Sequence, residues 1–221
     1  MVLLLVALSK MVYVTIDFSL NSPGICIFNT ESNTHHYISY VKPGLGTKKE
    51  QKLQEDISLL DDVTLIYQED WKTTFGDYSK NELAKVRRYM ATADAIINII
   101  LDVTKSKQDY IVAFEGTSYG SKMGTNNIID MAAGAAILKE QMITQLHVKD
   151  ILTVAPTTIK KFAGKGNMKK EDMWKVFLDN QDLSSSPFWK FCQSHREDKK
   201  LVKPIDDLVD SYFILMCSLG G

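Results

Sequence analysis

Short apolar runs separated by turn residues occupy the first part of the chain and predict an antiparallel meander. The run VYVTID at 12–17 is rich in β-branched and aromatic residues, and the turn-forming stretch SLNSPG follows it. The predicted strands cover 12–17, 25–29 and 36–41, with a shorter one at 63–68. The rest of 47–80 is polar and shows no clear period.

Helical periodicity dominates from Asn81 to about Thr104, where apolar residues recur every three or four positions. The predicted buried face of this helix carries Leu83, Val86, Met90, Ala93, Ile97, Ile100 and Leu101. The continuous apolar run YIVAFEG at 110–116 then predicts a strand that is buried on both faces of a sheet.

Helix–strand alternation continues to the end of the chain. A helix is predicted at 128–146, where the small residues at 132–136 would allow close packing on a sheet. A strand at 151–155, a helix that starts at Pro156 and a last helix at 204–218 follow. A meander followed by this alternation predicts a single α/β domain.

The predicted domain covers 11–221. Residues 1–10 form an apolar N-terminal extension that is too short to span a bilayer and has no basic leader or small-residue cleavage site, so we expect no membrane anchor and no export. Residues 179–203 are predicted to be a loop-rich insertion.

Composition supports a folded protein inside a cell. The 221 residues are 45% hydrophobic, which is enough for a core and argues against disorder or fibrous repeats. The three cysteines form no CxxC pair and the four histidines have no metal-ligand spacing, so reduced thiols and no histidine metal site are expected. With 26 basic and 27 acidic residues, the net charge argues mildly against a nucleic-acid partner unless the charges are segregated.

Carboxylates stand at the ends of two predicted strands and on one face of the last helix. Asp17 and Glu115 each end a strand, the edge at which α/β sheets place ligands. Asp207 and Asp210 share a helical face, and Asp206 is adjacent. Such residues can be caps or solvated side chains, but converging carboxylates in an apolar setting also fit a site for two divalent cations that hydrolyses phosphodiesters.

Lysines concentrate between 159 and 175. This segment contains six lysines and only two acidic residues, Glu171 and Asp172. Its Gly164-Lys165-Gly166 stretch is predicted to be a flexible turn. The six are Lys160, Lys161, Lys165, Lys169, Lys170 and Lys175. The arrangement fits contacts to phosphates, with a solvated helix face as the alternative. Lys122, in the polar loop after Glu115, could extend the positive surface.

Aromatic residues near this segment allow two interpretations. Trp174 and Phe177 have helical spacing and are predicted to lie in the core. Phe188 and Trp189 could pack over the insertion or stack on unpaired bases, and the sequence does not decide between these.

Four stretches together resemble the RuvC family of Holliday junction resolvases, within the ribonuclease H-like nucleases. They are TIDFSLNSPGICIF (15–28), IVAFEGTSYGSKMGTNNIIDMAAGAAIL (111–138), VAPTTIKKFAGKGNMKKEDMWKVF (154–177) and DDLVDSYFIL (206–215). The third is the most specific, because Ala-Pro, Lys-Lys, a Gly-x-Gly turn and a further Lys have no compositional reason to recur together. The resemblance implies an α/β fold with a ribonuclease H-like mixed sheet, in which an antiparallel meander and then parallel strands are flanked by helices.

The same resemblance assigns roles to residues. It places the metal ligands at Asp17, Glu115, Asp207 and Asp210, with Asp17 between the ions, and the catalytic basic residue at Lys170, or Lys169 if the register slips. It also implies DNA contacts by Lys160, Lys161, Lys165, Lys169, Lys122 and Tyr119. Phe18-Ser19 replaces the family's Pro-Gly, and Tyr119 stands where the family tends to have phenylalanine, so junction recognition departs from the usual pattern.

The activity implied is that of a Mg²⁺-dependent crossover junction endodeoxyribonuclease of DNA recombination and repair. Two ions, with Mn²⁺ able to substitute, would support hydrolysis that leaves a 5′-phosphate and a 3′-hydroxyl. Paired symmetric nicks imply a homodimer, for which the helix at 128–146 is a candidate interface. The alternatives are a broader nuclease for forks and flaps and a non-catalytic DNA-binding protein. The expected location is intracellular, in the cytoplasm or nucleoid, or in a host cell or organelle.

Overall fold

A six-stranded mixed sheet forms the centre of the molecule. The computed structural model describes residues 10–42, 46–68, 76–105, 108–116, 125–197 and 203–220, with backbone only at 125–127. The strands are β1 (Met11–Asp17), β2 (Gly24–Asn29), β3 (Thr34–Val41), β4 (Val63–Tyr67), β5 (Asp109–Glu115) and β6 (Val148–Val154). Their spatial order is β4-β3-β2-β1-β5-β6. The β1–β2 and β2–β3 pairs are antiparallel, and the other pairs are parallel.

Helices cover both faces of this sheet. They are α1 (Lys48–Ser58), α2 (Tyr78–Thr104), α3 (Thr125–Gln145), α4 (Pro156–Ala163), α5 (Lys170–Asp179), α6 (Pro187–Ser194) and α7 (Ile205–Gly220). Helices α2 and α3 share an apolar cluster with one face of the sheet. On the other face α7 packs against β1 and β2, and residues of α1, α4, α5 and α6 join the same cluster. The α/β prediction with a meander and then parallel strands is therefore confirmed.

The buried face of α2 differs from the predicted one. Leu83, Val86, Met90 and Leu101 were predicted to be buried but are 41–50% exposed. The buried residues of the helix begin at Tyr89. From there the core face follows Ala93, Ile96, Ile97 and Ile100. The helix is confirmed, but four of the seven positions that were predicted to be buried are exposed.

The segment at 179–203 is not loop-rich over its described part. It contains a 3₁₀ turn at Gln181–Leu183 and then α6, whose start is capped by Ser186 with Pro187 in the first turn. Phe188 and Trp189 are buried in the core with Trp174 and Phe177, so they are not free to stack on bases. Asp62 fixes the start of α6, because its carboxylate accepts hydrogen bonds from Ser186 Oγ and, at 2.9 Å, from the Phe188 amide.

Helix α1 lies in the stretch without a clear sequence period. Thr47 and Glu50 form a capping box: the Glu50 amide donates to Thr47 Oγ1 at 3.3 Å, and the Thr47 amide donates to Glu50 Oε2 at 2.6 Å. This Thr-x-x-Glu signature was the available signal for the helix. Among the helices that the structure describes, we find none long and apolar enough to cross a membrane.

The small residues of α3 do not pack broadly against the sheet. Gly134 alone is buried, and a Cβ there would lie 3.0 Å from Phe18 and 3.1 Å from Leu20. Ala132, Ala133 and Ala136 are exposed. The expected close packing is therefore limited to the contact between Gly134 and the turn that follows β1.

Candidate active site

Two strand ends bring Asp17 and Glu115 together. Side chains alternate between the two faces of a strand, so Asp17 follows Thr15 on the face that packs against α7, and Glu115 follows Ala113 on the same face. Strands β1 and β5 are parallel neighbours with Thr15 opposite Ala113, which brings the two carboxylates to one edge. A hydrogen bond joins Asp17 to Glu115.

Helix α7 crosses directly over this edge and adds Asp207 and Asp210. The Thr15 hydroxyl donates to the Ser211 carbonyl at 2.7 Å, which ties β1 to the helix. Gly24 pairs with Asp17 across β1 and β2 and allows α7 to approach the sheet. A Cβ on Gly24 would lie 2.0 Å from the Asp207 carbonyl oxygen, so only glycine allows α7 to lie this close to the sheet.

Burial and mutual repulsion raise the pKa values of these carboxyl groups. Burial, followed by the charges of Glu115, Asp210 and Asp207, raises the pKa of Asp17 to about 8. Burial also raises the pKa of Glu115, although its hydrogen bond to Asp17 and the charges of Lys170 and Lys160 oppose the shift.

Two lysines offset part of the negative charge on α7. Lys170 Nζ lies 2.7 Å from Asp210 Oδ2 and 3.4 Å from Asp206 Oδ2. Burial disfavours the charged form of Lys170, but the charges of Asp210, Asp206 and Asp207 outweigh it and raise its pKa. Lys203 Nζ lies 2.7 Å from both carboxylate oxygens of Asp207.

Asp206 belongs to the rim of this cluster. One of its oxygens contacts Lys170, and the other, Oδ1, is buried and has no hydrogen-bond partner among the residues that the structure describes. An unpaired buried carboxylate oxygen is costly in the absence of a cation.

The donor set has the chemistry of a divalent-cation site. Asp17, Glu115, Asp207 and Asp210 supply only oxygen ligands, which Mg²⁺ and Mn²⁺ prefer. The carboxylates of Glu115, Asp210 and Asp207 all act on Asp17, so positive charge is favourable beside it. In the described ranges, no three Asp, Glu, His or Cys side chains are close enough to enclose an ion as they stand. Asp207 and Asp210 contact the ammonium groups of Lys203 and Lys170 in this arrangement.

A cavity of about 640 Å³ opens beside the carboxylates. Asp17, Glu115 and Asp210 line one side together with Lys160 and Lys170. Met131, Ala132, Ala135 and Ala136 of helix α3 also line the cavity. The cavity therefore joins the acidic cluster to cationic side chains and an apolar wall.

The predicted DNA-binding lysines fall into two groups. Lys160 lies near the site, since its charge acts on Glu115 and it lines the cavity. Lys161, Lys165 and Lys169 are exposed at the end of α4 and in the turn before α5. Tyr119 and Lys122 lie outside the described residues.

Sequence reasoning missed Lys203 and the role of Gly24. Lys203 stands four residues before Asp207 but precedes α7, so helical spacing does not predict their ion pair. The contact between Gly24 and the backbone of Asp207 forms because α7 packs across β2, and no local sequence pattern predicts it.

Solved structures of Holliday junction resolvases are similar to this chain. The yeast mitochondrial resolvase Ydc2 has a TM-score of 0.51 and 12% identity, over 95% of this chain and 78% of Ydc2. Thermus thermophilus RuvC has a TM-score of 0.48 and 12% identity, over 95% of this chain and 96% of RuvC. T. thermophilus RuvC in complex with a Holliday junction substrate has a TM-score of 0.47 and 10% identity, over 95% of each chain.

The likeness to Ydc2 spans nearly the whole chain and, at this identity, shows a shared fold. The resemblance to junction resolvases predicted from four sequence stretches is confirmed at that level. No protein-family model matches the chain, and no curated protein sequence matches it.

Proposed function

We propose that this protein is a Mg²⁺-dependent endonuclease that resolves four-way DNA junctions by paired symmetric nicks. The observation that carries the proposal is the convergence of Asp17, Glu115 and Asp210 from β1, β5 and α7, with Lys170 at Asp210. The fold shared with a junction resolvase adds to it. Perturbed carboxyl groups in a cleft are typical of catalytic sites.

Asp17, Glu115, Asp207 and Asp210 would hold two metal ions, which supply an activated water and neutralise charge on the scissile phosphate. The protein's own groups bind and orient the substrate. Lys170 reaches the cluster from the start of α5 and Lys160 from α4, and both present ammonium groups to a phosphate in the cavity. The exposed Lys161, Lys165 and Lys169 extend this contact along the DNA backbone.

Resolution of a four-way junction requires two cuts related by two-fold symmetry, so the active form in this proposal is a homodimer. Its place of action is a compartment in which branched DNA arises, inside a cell or an organelle. A nuclease of the same fold with broader preference for forks and flaps is the second candidate, which the altered loop after Glu115, with Tyr119, favours.

Cleavage of labelled synthetic substrates separates the candidates. We expect the protein in Mg²⁺ to cut a four-way junction at least about tenfold faster than three-way or flap substrates of the same arm sequences, and not to cut in excess chelator. Equal rates on all three would support the broader nuclease. Binding without any cutting would support a non-catalytic DNA-binding protein.

A further inference from the structure

Lys203 makes an ion pair with Asp207 in the candidate active site. Its ammonium lies 2.7 Å from each Asp207 carboxylate oxygen. It also donates a hydrogen bond, at 2.8 Å, to the hydroxyl of Ser22 in the turn after β1. The Asp207 side chain is 7% exposed, whereas that of Lys203 is 58% exposed. The ammonium therefore reaches a buried carboxylate from the solvent side.

We propose that Lys203 is a built-in counter-cation that occupies the Asp207 side of the carboxylate cluster and must leave it when a divalent cation binds there. The inference rests on the proposed function, because it assigns Asp207 to the metal site. Lys203 is a positioning residue in this account. It holds the Asp207 carboxylate in place before the ion arrives, and it competes with the ion for the same two oxygens.

The carboxylate is the fixed partner of this pair. Asp207 lies in the first turn of α7, whose backbone rests on Gly24 with no room for even a methyl group between them. Thr15 also holds the helix through the Ser211 carbonyl. Lys203, in contrast, precedes the helix and has a long side chain that is more than half exposed, so rotation of that side chain into water releases Asp207.

The charges around Asp207 affect both the binding and the loss of a divalent cation that replaces Lys203. A buried carboxylate without a partner is strongly disfavoured, so Asp207 needs Lys203 when no metal is bound. A divalent cation would replace one positive charge by two beside Asp17, where three carboxylates already repel one another. Removal of Lys203 should therefore weaken the metal-free fold and strengthen metal binding.

The test is calorimetric titration of Mn²⁺ into the DNA-free protein, for wild type, Lys203→Met and Lys203→Gln. We expect the Kd for Mn²⁺ to fall at least about tenfold in both variants, because the competing charge is gone. Lys203→Gln keeps a hydrogen-bond donor for Asp207, so the competition can still be measured if Lys203→Met does not fold. Without metal, both variants should unfold at a lower temperature than wild type, and Mn²⁺ should raise their unfolding temperature by more than it raises that of wild type.

Lys160→Met is the matched control, since it removes one positive charge near Glu115 without touching Asp207. Its Kd should fall by less than about threefold. An equal fall in Lys160→Met, or an unchanged or higher Kd in the Lys203 variants, would show that Lys203 does not compete for Asp207.

Junction cleavage by the wild type separates this inference from the proposed function. If the wild type cuts junctions but the Kd is unchanged in the Lys203 variants, the inference fails alone. If the Kd falls as expected but no branched DNA is cut, the proposed function fails and the competition at Asp207 stands. Absence of Mn²⁺ binding in every variant would overturn both.

Discussion

Asp17 is the residue at which the demands of folding and of the proposed activity conflict most. It lies among three other carboxylates, and burial and their charges raise its pKa to about 8. A group so placed destabilises the metal-free protein, and its presence is explained if a cation neutralises it during function. Lys203 and Lys170 offset Asp207 and Asp210, whereas none of the described basic residues forms an ion pair with Asp17.

Replacement of Asp17 by asparagine should separate binding from chemistry. Asn keeps the size of the side chain and a hydrogen-bond donor for Glu115, so the fold should persist and the metal-free protein should unfold at a higher temperature. Cleavage should fall by at least about a hundredfold, since even outer partners of a metal site cost that much when lost.

A gel-shift titration beside the cleavage assay checks this split, because the lysines that contact phosphates are untouched. Glu115→Gln should behave in the same way. Cleavage at the wild-type rate by either variant would remove these residues from the metal site.

At the scale of elements, the contact between α7 and β2 sets the geometry of the site. The helix brings Asp207 and Asp210 to the strand ends only because Gly24 leaves its backbone room on the sheet. The pairing of Gly24 with Asp17 places this contact at the edge of the carboxylate cluster. Gly24 is therefore needed both for the packing of α7 on the sheet and for the position of the carboxylates.

Gly24→Ala should disrupt both. The added methyl group would lie 2.0 Å from the Asp207 carbonyl oxygen, so α7 has to move. We expect a loss of about 2–3 kcal/mol in the free energy of unfolding, measured by denaturant titration, and loss of cleavage in the fraction that folds.

Gly166→Ala is the control for this change, because its new Cβ would approach other atoms no closer than 3.7 Å. It should leave the free energy of unfolding nearly unchanged. Equal stability of the two alanine variants would contradict the assigned role of Gly24.

Elements with a strong period could be predicted from the sequence, and contacts between elements could not. Strands β1 and β5 end in carboxylates that their patterns predict, and the face shared by Asp207 and Asp210 follows from helical spacing. Helix α6 was missed because its serine-rich start reads as a loop, although Ser186 and Pro187 are helix-start residues. The Asp62 contact that fixes it spans more than a hundred positions and has no local signal.

At the scale of the whole molecule, segregation of charge matters more than its sum. The 26 basic and 27 acidic residues nearly cancel. Yet carboxylates gather where β1, β5 and α7 meet, and lysines lie on α4 and at the start of α5 beside the same cavity. A near-neutral chain can thus present a phosphate-binding surface next to a site for divalent cations.

The most direct measurement is digestion of a supercoiled plasmid that extrudes a cruciform, with wild type and Asp17→Asn, in Mg²⁺ and in chelator. Two symmetric cuts by one bound dimer yield linear DNA whose ends map to opposite strands at the base of the cruciform. We predict this linear product for the wild type in Mg²⁺ alone, and intact supercoiled plasmid in the other three reactions. Nicked circles without linear product, or linear product from Asp17→Asn, would contradict the account.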